Sequence, residues 1–377
     1  MAHRIPCAFI RGGTSKALVF HLKDLPANRS EWDAIFLRAM GSPDPYGRQL
    51  DGMGGGVSSL SKVCVIGPPS VPGADVDYTF AQVQVKEARV DYSGNCGNMS
   101  SAIGPFAVDE KLVDVARNGE VQVRIHNTNT RKIIHSTFEV RDGRSVETGA
   151  LEIPGVHGTA APIRLDFLEP GGASTGKLLP TGNAADDLLV TGIGKVPASM
   201  VDAANACVFI DARTLGLRGT ELPDEIEANA NVLDQLREVR LYASVKMGIT
   251  RSLDDARNKP MIPMIAFVSA PQDSPIIGGG TVRKEDCDLV VRMISNGQPH
   301  RALPLTGSLC TAVAAQIEGS IPHQLANARR GQPLRLAMPS GVLSVDASVV
   351  RREAGWHAEH GSFYRTTRRL FEGWVYA

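Results

Sequence analysis

The sequence predicts an α+β protein made of two similar halves, each built on an antiparallel, barrel-like sheet. Glycine (38 residues) and proline (23 residues) interrupt the 377-residue chain every few positions, so its apolar runs are short. Most of these runs are rich in β-branched residues, and several alternate polar with apolar positions, as strands with one wet face do. Helical patterns are fewer and do not alternate strictly with strands, which excludes a doubly wound fold.

The predicted elements follow from these patterns in chain order. The first helix, RSEWDAIFLRAMG, is expected to start at an N-cap Ser30 and to stop at Gly41. Three further helical segments are MSSAIGPFAVDEKLV, DEIEANANVLDQLREVRLYASVKMG and LCTAVAAQIEG. The predicted strands are ALVFHL, KVCVIG, YTFAQVQV, VQVRIHN, IIHSTFEV and PIRLDFL, and then ACVFID, IPMIAFVS, LRLAMP and GVLSVDASVV.

A polar stretch rich in glycine and proline, residues 167–187, marks the predicted boundary between the halves. We expect an N-terminal domain of residues 1–182 and a C-terminal domain of residues 183–377, with the last strand packing on the first domain. Each half has a cysteine that is expected to open a small-residue helix, Cys96 and Cys310. Two related halves explain this weak repeat, and a chance similarity of two Gly-rich helix starts is the alternative.

The composition excludes several classes of protein. Lys plus Arg equal Asp plus Glu at 40 each, so no overall field attracts nucleic acid or an anionic membrane. No apolar run approaches the roughly 18 residues of a transmembrane span, and the N-terminus is too polar for a signal peptide. The six cysteines are dispersed without a C-x-x-C pair, which predicts free thiols in a cytoplasmic protein. Two of them, Cys64 and Cys207, lie in strand-like apolar runs and are expected in the core.

The glycine-rich stretch QLDGMGGGVSSLSKVCVIG, residues 49–67, is the first candidate binding segment. It matches neither a P-loop nor a Rossmann fingerprint, in which Val57 would have to be the third glycine. We expect a run of bare backbone N–H groups and the hydroxyls of Ser58, Ser59 and Ser61 to bind an anionic oxygen. The segment leads to Lys62 at the start of a strand. A flexible hairpin loop with a solvated lysine is the alternative.

A second Gly turn lies in FIRGGTSKALVF, residues 9–20, between two predicted strands. It carries Arg11, Thr14, Ser15 and Lys16. Guanidinium and hydroxyl groups of this kind hold carboxylates, so the turn is a candidate carboxylate site. A plain hairpin turn is the alternative.

Cys96, in SGNCGNMSSAIG, is the strongest single candidate for chemistry. Two Gly–Asn pairs flank it at the predicted mouth of a helix, where the dipole and the free N–H groups favour a thiolate, a carboxylate or a developing enolate. A turn cysteine without a role is the alternative. No other chemistry is indicated: His357 and His360 do not make a zinc site, and the basic run RTTRRL is interpreted as a solvated face.

Four segments together resemble one known family over essentially the whole chain: RGGTSK, GSPDPYGRQLDGMGGGVSSLSK, YSGNCGNMSSAIGPFAV and RTTRRLFEGWV. The family is that of 2-methylaconitate cis–trans isomerase, 3-methylitaconate Δ-isomerase and 4-oxalomesaconate tautomerase. It is similar in fold to diaminopimelate epimerase. The resemblance implies two epimerase-like domains, each a barrel-like sheet around a central helix, with the active site in the cleft between them.

The resemblance also implies roles for individual residues. The acid/base groups fall on Lys62 and Cys96, while the glycine-rich loops, the start of the Cys96 helix and the second domain hold the substrate. The implied substrate-binding residues are Arg11, Thr14, Ser15, Met53, Gly54, Gly55, Ser58, Ser59, Asn95, Gly97, Asn98, Gly182, Asn183, Met247, Thr306, Gly307, Ser308, Cys310 and Ser340.

We therefore expect a cofactor-independent isomerase of an unsaturated di- or tricarboxylate such as 4-oxalomesaconate, 2-methylaconitate or methylitaconate. It would move an allylic proton or isomerise a double bond from cis to trans, with a neutral Lys62 as base. Methylaconitate isomerases tend to lack a cysteine where this chain has TGSLCTAVAA, so a two-cysteine amino-acid racemase using Cys96 and Cys310 is one alternative. A non-catalytic carboxylate-binding accessory protein is the other. We expect a small-molecule substrate and no nucleic acid, membrane, metal or cofactor; a homodimer is compatible with the sequence.

Overall fold

The structure is a computed structural model that describes residues 4–329, 332–353 and 355–377. The chain divides into two compact units. Unit 1 contains the described residues up to Asp166 together with Tyr364–Ala377, and unit 2 is Phe167–Phe363. The chain passes from the first compact unit to the second after Asp166. The predicted domain boundary between residues 182 and 183 stays a prediction. Among the described residues, every helix is too short or too polar to cross a membrane.

Unit 1 is a strand-rich unit with two helices. Its helices are α1 (Trp32–Met40) and α2 (Gly97–Asp109). Its strands are β1 (Arg4–Gly12), β2 (Ser15–His21), β3 (Lys62–Gly67), β4 (Val76–Val83), β5 (Val90–Asp91), β6 (Gly119–Asn127), β7 (Lys132–Arg141), β8 (Arg144–Ser145), β9 (Leu151–Glu152) and β10 (Thr159–Ala160). The chain leaves unit 1 within β11 (Ile163–Leu168).

Unit 2 is also rich in strands and has more helices than unit 1. Its strands are β12 (Asp186–Val190), β13 (Gly194–Ala203), β14 (Asn205–Asp211), β15 (Met264–Ser269), β16 (Ser274–Pro275), β17 (Thr281–Val282), β18 (Leu289–Ser295), β19 (Gln298–Pro299), β20 (Leu334–Met338) and β21 (Gly341–Arg352). Its helices are α3 (Pro223–Glu227), α4 (Ala230–Lys246), α5 (Leu253–Arg257), α6 (Leu305–Ala315) and α7 (Ile321–Leu325). The chain returns to unit 1 within β22 (Gly355–Arg365), and β23 (Thr367–Tyr376) follows.

The two units repeat one pattern of strand pairing. In unit 1, β1–β2, β3–β4 and β6–β7 are antiparallel pairs, and the parallel pairs β2–β3 and β4–β6 join them. In unit 2, β13–β14, β15–β18 and β20–β21 are antiparallel, and the parallel pairs β14–β15 and β18–β20 join them. The prediction of an α+β fold with two similar halves is confirmed, although each sheet is mixed because it contains these parallel pairs.

One helix lies at the centre of each unit. In unit 1, α2 contacts β1, β2 and β3 as well as β6, β7 and β8, so the sheet curves around it. Every residue of α2 except its last, Asp109, is buried. In unit 2, α6 packs against β13, β14 and β21, and all of its residues are buried. The C-terminal strand β23 pairs with β1 along its whole length.

The alternation of side chains along a strand separates the core of unit 1 into two layers. On β3, Val63 and Val65 belong to the cluster on the α1 side, with Trp32 and Phe36 of that helix. Lys62 and Cys64 therefore project to the opposite face, toward α2. One strand thus supplies an apolar anchor on one face and the side chains of Lys62 and Cys64 on the other.

The first helix differs from the sequence prediction at its start and agrees with it at its end. Gly41 ends α1 in the left-handed conformation, with φ of 74°. The predicted N-cap at Ser30 is wrong, because residues Arg29–Glu31 form a 3-10 turn. Asn28 caps that turn: its side chain accepts a hydrogen bond from the Ser30 N–H, and the α-helix begins only at Trp32.

Close packing of α2 on β7 yields a test of the central-helix arrangement. A Cβ at Gly104 would lie 2.6 Å from Ser136 Oγ and 2.8 Å from Phe138 Cε1. Gly104→Ala should therefore lower the free energy of unfolding by about 1–3 kcal/mol, although alanine is the better helix former. Urea unfolding measures the change.

The control is Gly373→Ala on β23, where an added Cβ would meet no atom of the described residues within 4 Å. It should change the free energy of unfolding by no more than about 0.5 kcal/mol. A Gly104→Ala protein as stable as the unsubstituted chain would contradict the packing described above.

Candidate active site

Lys62 begins β3 at the end of the sheet where β2 also begins. The parallel register sets Lys62 beside Ala17, and the antiparallel register sets it opposite Gln82 of β4. Only 6% of Lys62 is exposed. The strand therefore carries a lysine into the interior, on the face that α2 covers, and the solvated-lysine alternative is wrong.

The Lys62 amine has a neutral hydrogen-bond partner. Its Nζ donates to Gln82 Oε1 at 2.5 Å and lies 5.0 Å from the centre of the Phe80 ring. Burial lowers the pKa of Lys62, and the charges of Cys96 and Cys64 only partly oppose that shift. Because burial penalises the ammonium form, the amine can serve as a base at a lower pH than an exposed lysine.

Cys96 occupies the N-cap position of α2, with extended backbone angles (φ −110°, ψ 96°). Its carbonyl accepts hydrogen bonds from the Ser100 N–H at 3.0 Å and the Ser100 hydroxyl at 3.2 Å. The thiol therefore sits where the first N–H groups of the helix and its dipole stabilise an anion. The sequence prediction that Cys96 opens a helix is correct.

Two further groups, Cys64 and Tyr78, lie beside this pair. Cys64 Sγ donates to the Tyr78 hydroxyl at 3.8 Å, and that hydroxyl donates to the Cys96 carbonyl at 3.5 Å. Both side chains are fully buried, and burial raises the pKa of the Cys64 thiol and of the Tyr78 phenol. Cys64 is a core residue as predicted, but its place beside Lys62 was missed; the i, i+2 spacing in KVC carries that information.

The Gly12–Ser15 turn is held against the first turn of α2. Asn98 Nδ2 donates to Thr14 Oγ1 at 3.2 Å. Gly13 has φ of 52°, and a Cβ there would lie 2.4 Å from Asn98 Oδ1, so only glycine fits. Because β2 and β3 are parallel, this turn lies at the same end of the sheet as Lys62. Ser15, at the start of β2, is 3% exposed.

Arg365 is a buried cation that the sequence interpretation missed. Its Nε donates to Asn98 Oδ1 at 3.2 Å, and it is 5% exposed. Burial lowers the pKa of Arg365 to about 10, so it stays charged at neutral pH. The interpretation of RTTRRL as a solvated face is wrong for this residue, because the strand turns it inward while Arg368 is exposed.

Arg11 has a structural position in this region. Its Nη1 donates to the carbonyls of Gly13 and Thr366 and to the Thr366 hydroxyl, each at 3.0 Å. Burial lowers the pKa of Arg11, and the charge of Arg368 adds to the shift. The guanidinium thus ties the Gly12–Ser15 turn to the C-terminal segment.

The expectation of bare N–H groups in the glycine-rich loop is wrong at four positions. The N–H groups of Gly52, Met53, Gly54 and Gly56 already donate within the protein, to Gln49 and to the end of α1. A Cβ at Gly54 would lie 2.3 Å from Gln49 Oε1, so the glycine makes room for a side chain.

Gln49, which is 1% exposed, organises the loop that precedes Lys62. It accepts from the Ser61 hydroxyl at 2.6 Å, so Ser61 has a structural partner. The remaining predicted loop residues vary in exposure: Ser58 is buried, Ser59 half-buried and Gly55 exposed, and Met53 packs on the α1-side core.

At the start of α2, Asn95 Oδ1 accepts from Asn127 Nδ2 at 3.1 Å, and both residues are buried. Gly97 is the first residue of the helix. Unit 1 therefore places the Gly12–Ser15 turn and the start of α2, which the Asn98–Thr14 hydrogen bond connects, at the end of the sheet that carries Lys62.

In unit 2, the predicted residues around α6 are interior groups. Thr306 Oγ1 accepts from Asn205 Nδ2 at 3.0 Å, and Ser308 donates to the Pro304 carbonyl at 3.0 Å. A Cβ at Gly307 would lie 2.3 Å from Met293 Sδ.

The expectation that Cys310 opens its helix is wrong. The helix begins at Leu305 after Pro304, which takes the position that Cys96 has in α2. Cys310 lies inside α6, is fully buried, and donates to the Val201 carbonyl at 3.3 Å. Cys207, which is also fully buried as predicted, contacts Cys310, and burial raises the pKa of Cys207.

The other predicted residues of unit 2 lie outside α6, in three different environments. Gly182 and Asn183 lie in an exposed turn, where Asn183 Nδ2 donates to Asp186 Oδ1 at 2.9 Å. Met247 ends α4 and is part of the hydrophobic core. Ser340 lies in the turn between β20 and β21, and its hydroxyl is buried without a hydrogen-bond partner among the described residues. Nowhere in the described ranges do three or more His, Cys, Asp or Glu side chains form a group suited to a metal ion.

Comparisons with known proteins agree with this architecture. Residues 2–377 match the PrpF protein family. A 3-methylitaconate isomerase of Eubacterium barkeri is 43% identical over 99% of this chain and 97% of its own length. A 2-methyl-aconitate isomerase of Cupriavidus necator and a 4-oxalomesaconate tautomerase of Pseudomonas putida are each 38% identical over 99% of this chain and 96% of their own lengths.

Solved structures show the same fold. A methylitaconate Δ-isomerase superposes with a TM-score of 0.79 at 41% identity, over all of this chain and 96% of that one. A hydroxyproline epimerase from Agrobacterium vitis has a TM-score of 0.56 at 11% identity, covering 99% of this chain and 92% of that one, a likeness of fold alone. The predicted diaminopimelate epimerase-like fold is confirmed.

The burial of Lys62 yields a prediction about stability and pH. The folded-state pKa is lowered from 10.5, so the unfolded chain binds more protons and the fold gains stability as the pH rises. Lys62→Met should therefore be more stable than the unsubstituted chain, with the largest gain below the folded-state pKa and a shrinking gain toward alkaline pH. Urea unfolding across neutral to alkaline pH measures the difference.

Lys23→Met, at an exposed lysine of the same unit, is the matched control and should show no pH-dependent gain. A Lys62→Met advantage that grows with rising pH would contradict the lowered pKa of the buried amine.

Proposed function

Because this chain belongs to the PrpF protein family, we propose that it is a cofactor-independent isomerase of an unsaturated di- or tricarboxylate. Isomerases and a tautomerase of such acids are 38–43% identical to it over nearly its full length. The observation that carries the proposal is the buried Lys62 amine, which donates to a neutral amide oxygen on the face that α2 covers.

In the proposed reaction, the Lys62 amine removes an allylic proton from the substrate. The electron pair of the broken C–H bond spreads over the conjugated carboxylate or carbonyl as a dienolate, and the amine becomes an ammonium. A proton then returns to another carbon of the dienolate, or to the same carbon after rotation about a bond. If Cys96 supplies the returning proton, transfer of one proton from the ammonium to the thiolate restores the site.

The dienolate of a polycarboxylate carries several negative charges, and unit 1 offers groups that stabilise them. The N–H groups of the first turn of α2 suit an enolate or carboxylate oxygen. Arg365, charged at neutral pH and bonded to Asn98, adds a buried cation near the Thr14 hydroxyl. These groups support a substrate with more than one carboxylate.

The two-cysteine racemase is less well supported. Such a mechanism needs a second reactive thiol, and Cys310 lies inside α6 with its Sγ on a backbone carbonyl. Its fully buried position fits a core residue. A cytoplasmic location, a homodimer, and substrate contacts from the predicted residues of unit 2 stay predictions.

The substrate is tested with 3-methylitaconate, 2-methylaconitate and 4-oxalomesaconate offered separately to the purified chain. Ultraviolet absorbance follows the conjugated double bond, and proton NMR identifies the product. We expect catalytic turnover of at least one of these acids. Binding of all three without turnover would support the carboxylate-binding accessory protein, and racemisation of an amino acid lost in Cys310→Ser would support the two-cysteine alternative.

Variants of the two acid/base candidates test the assignment of roles. Lys62→Ala and Cys96→Ser should each lower kcat by about 10²- to 10⁴-fold, because each removes a proton-transfer group. Circular dichroism should show an unchanged fold, and Lys23→Ala should retain full turnover as the control. Near-normal turnover in either variant would refute the role of the substituted residue.

A further inference from the structure

Gln82 accepts a hydrogen bond from the Lys62 amine, and both ends of its amide group have hydrogen-bond partners. Gln82 is 2% exposed and lies opposite Lys62 in the β3–β4 pair. Its Oε1 accepts from Lys62 Nζ at 2.5 Å. Its Nε2 donates to the carbonyls of Ser58 and Ser61, each at 3.0 Å.

These contacts determine which way the amide faces. If the amide of Gln82 turned over, its NH₂ group would face the Lys62 amine and its oxygen would face two carbonyl oxygens. In that flipped orientation the buried Gln82 oxygen would face two acceptors and no donor, which is costly. The loop Ser58–Ser61 therefore locks an acceptor in front of Lys62 and restricts the directions in which the amine can point.

The acceptor is also uncharged. The charges that oppose the effect of burial on the pKa of Lys62 are those of Cys96, at the start of α2, and Cys64, on its own strand. The nearby Tyr78 hydroxyl bonds to Cys64 and to the Cys96 carbonyl. Asp91, opposite Gln82 on β5, directs its Oδ1 to the N–H and hydroxyl of Ser93. A carboxylate in place of the Gln82 amide would attract the ammonium form of Lys62 strongly at this distance.

We propose that Gln82 is a positioning residue that aims the Lys62 amine and keeps its nearest acceptor neutral, so that the amine can lose its proton. This inference rests on the proposed function of Lys62 as the base. Gln82 itself touches no reacting atom in this proposal; it acts through Lys62.

Two substitutions separate orientation from charge. Gln82→Glu keeps the length of the side chain, replaces the Nε2 donor to the Ser58 and Ser61 carbonyls by an acceptor and, when ionised, adds a negative charge beside the amine. The rising limb of the kcat/KM–pH profile should therefore move to higher pH by about one unit or more. Gln82→Met removes the acceptor that favours the ammonium, so the same limb should move to lower pH. At neutral pH, we expect kcat to fall at least about tenfold in both variants with little change in KM. Gln122→Glu, at an exposed position of β6, is the matched control and should change nothing.

A second readout does not depend on turnover. In protein labelled with ¹³C at lysine Cε, the Lys62 signal, identified by its loss in Lys62→Met, reports the protonation of the amine directly. The midpoint of its titration should move to higher pH in Gln82→Glu and to lower pH in Gln82→Met. Shifts in opposite directions support the inference. Shifts in one direction, or none, in folded variants overturn it.

The two proposals fail separately. Turnover that persists in Lys62→Met overturns the proposed role of Lys62 as the base, while the Cε titration still decides whether Gln82 controls the amine. Should Gln82→Met fail to fold, Gln82→Glu decides alone once circular dichroism shows that it folds without the donor to the Ser58 and Ser61 carbonyls. An unmoved Lys62 titration in that folded variant overturns the inference.

Discussion

The hydrogen bond from the Lys62 amine to the Gln82 amide oxygen is the interaction on which the rest of the candidate site depends. A lysine buried on a strand costs the fold stability, and the cost is larger when its amine has no partner; here the partner is a neutral amide. The β3–β4 register brings the two side chains together, and Val63 and Val65 anchor the same strand on its other face. The carbonyls of Ser58 and Ser61 then hold the Gln82 amide in one orientation. The strand register, the loop and the core together determine where the Lys62 Nζ points.

The two units share one architecture but differ at the start of the central helix. Both repeat the same order of parallel and antiparallel pairs around a buried helix. They differ at the start of that helix: Cys96 is the N-cap of α2, and Pro304 takes this place in α6. A side chain at a helix start lies near N–H groups that have no partner within the helix, whereas Cys310 is buried inside α6. The two cysteines therefore occupy different places on their helices, one at the N-cap and one in the interior.

Much of the fold, the strand start at Lys62 and the helix start at Cys96 could be predicted from the sequence because the signals are local, whereas the acid/base roles of the two residues came from the family resemblance. Short β-branched runs, the stop at Gly41 and the Gly–Asn pairs around Cys96 each report on their own backbone. The partners of a side chain are not local. Gln82 and Tyr78 reach the site because β4 pairs with β3, and Arg365 is connected to it by a hydrogen bond to Asn98, 267 residues earlier in the chain. The glycines of residues 52–56 misled for the same reason, because they make room for Gln49 and neighbouring backbone instead of baring N–H groups.

The central claim is that the Lys62 amine removes the allylic proton, and solvent hydrogen exchange tests it most directly. The unsubstituted chain and Lys62→Met would be incubated in D₂O with an acid that the chain converts, and deuterium at the allylic carbon followed by proton NMR. The claim predicts rapid incorporation by the unsubstituted chain and none above the uncatalysed rate by Lys62→Met. Incorporation by folded Lys62→Met at the normal rate would contradict it and assign the base to another residue.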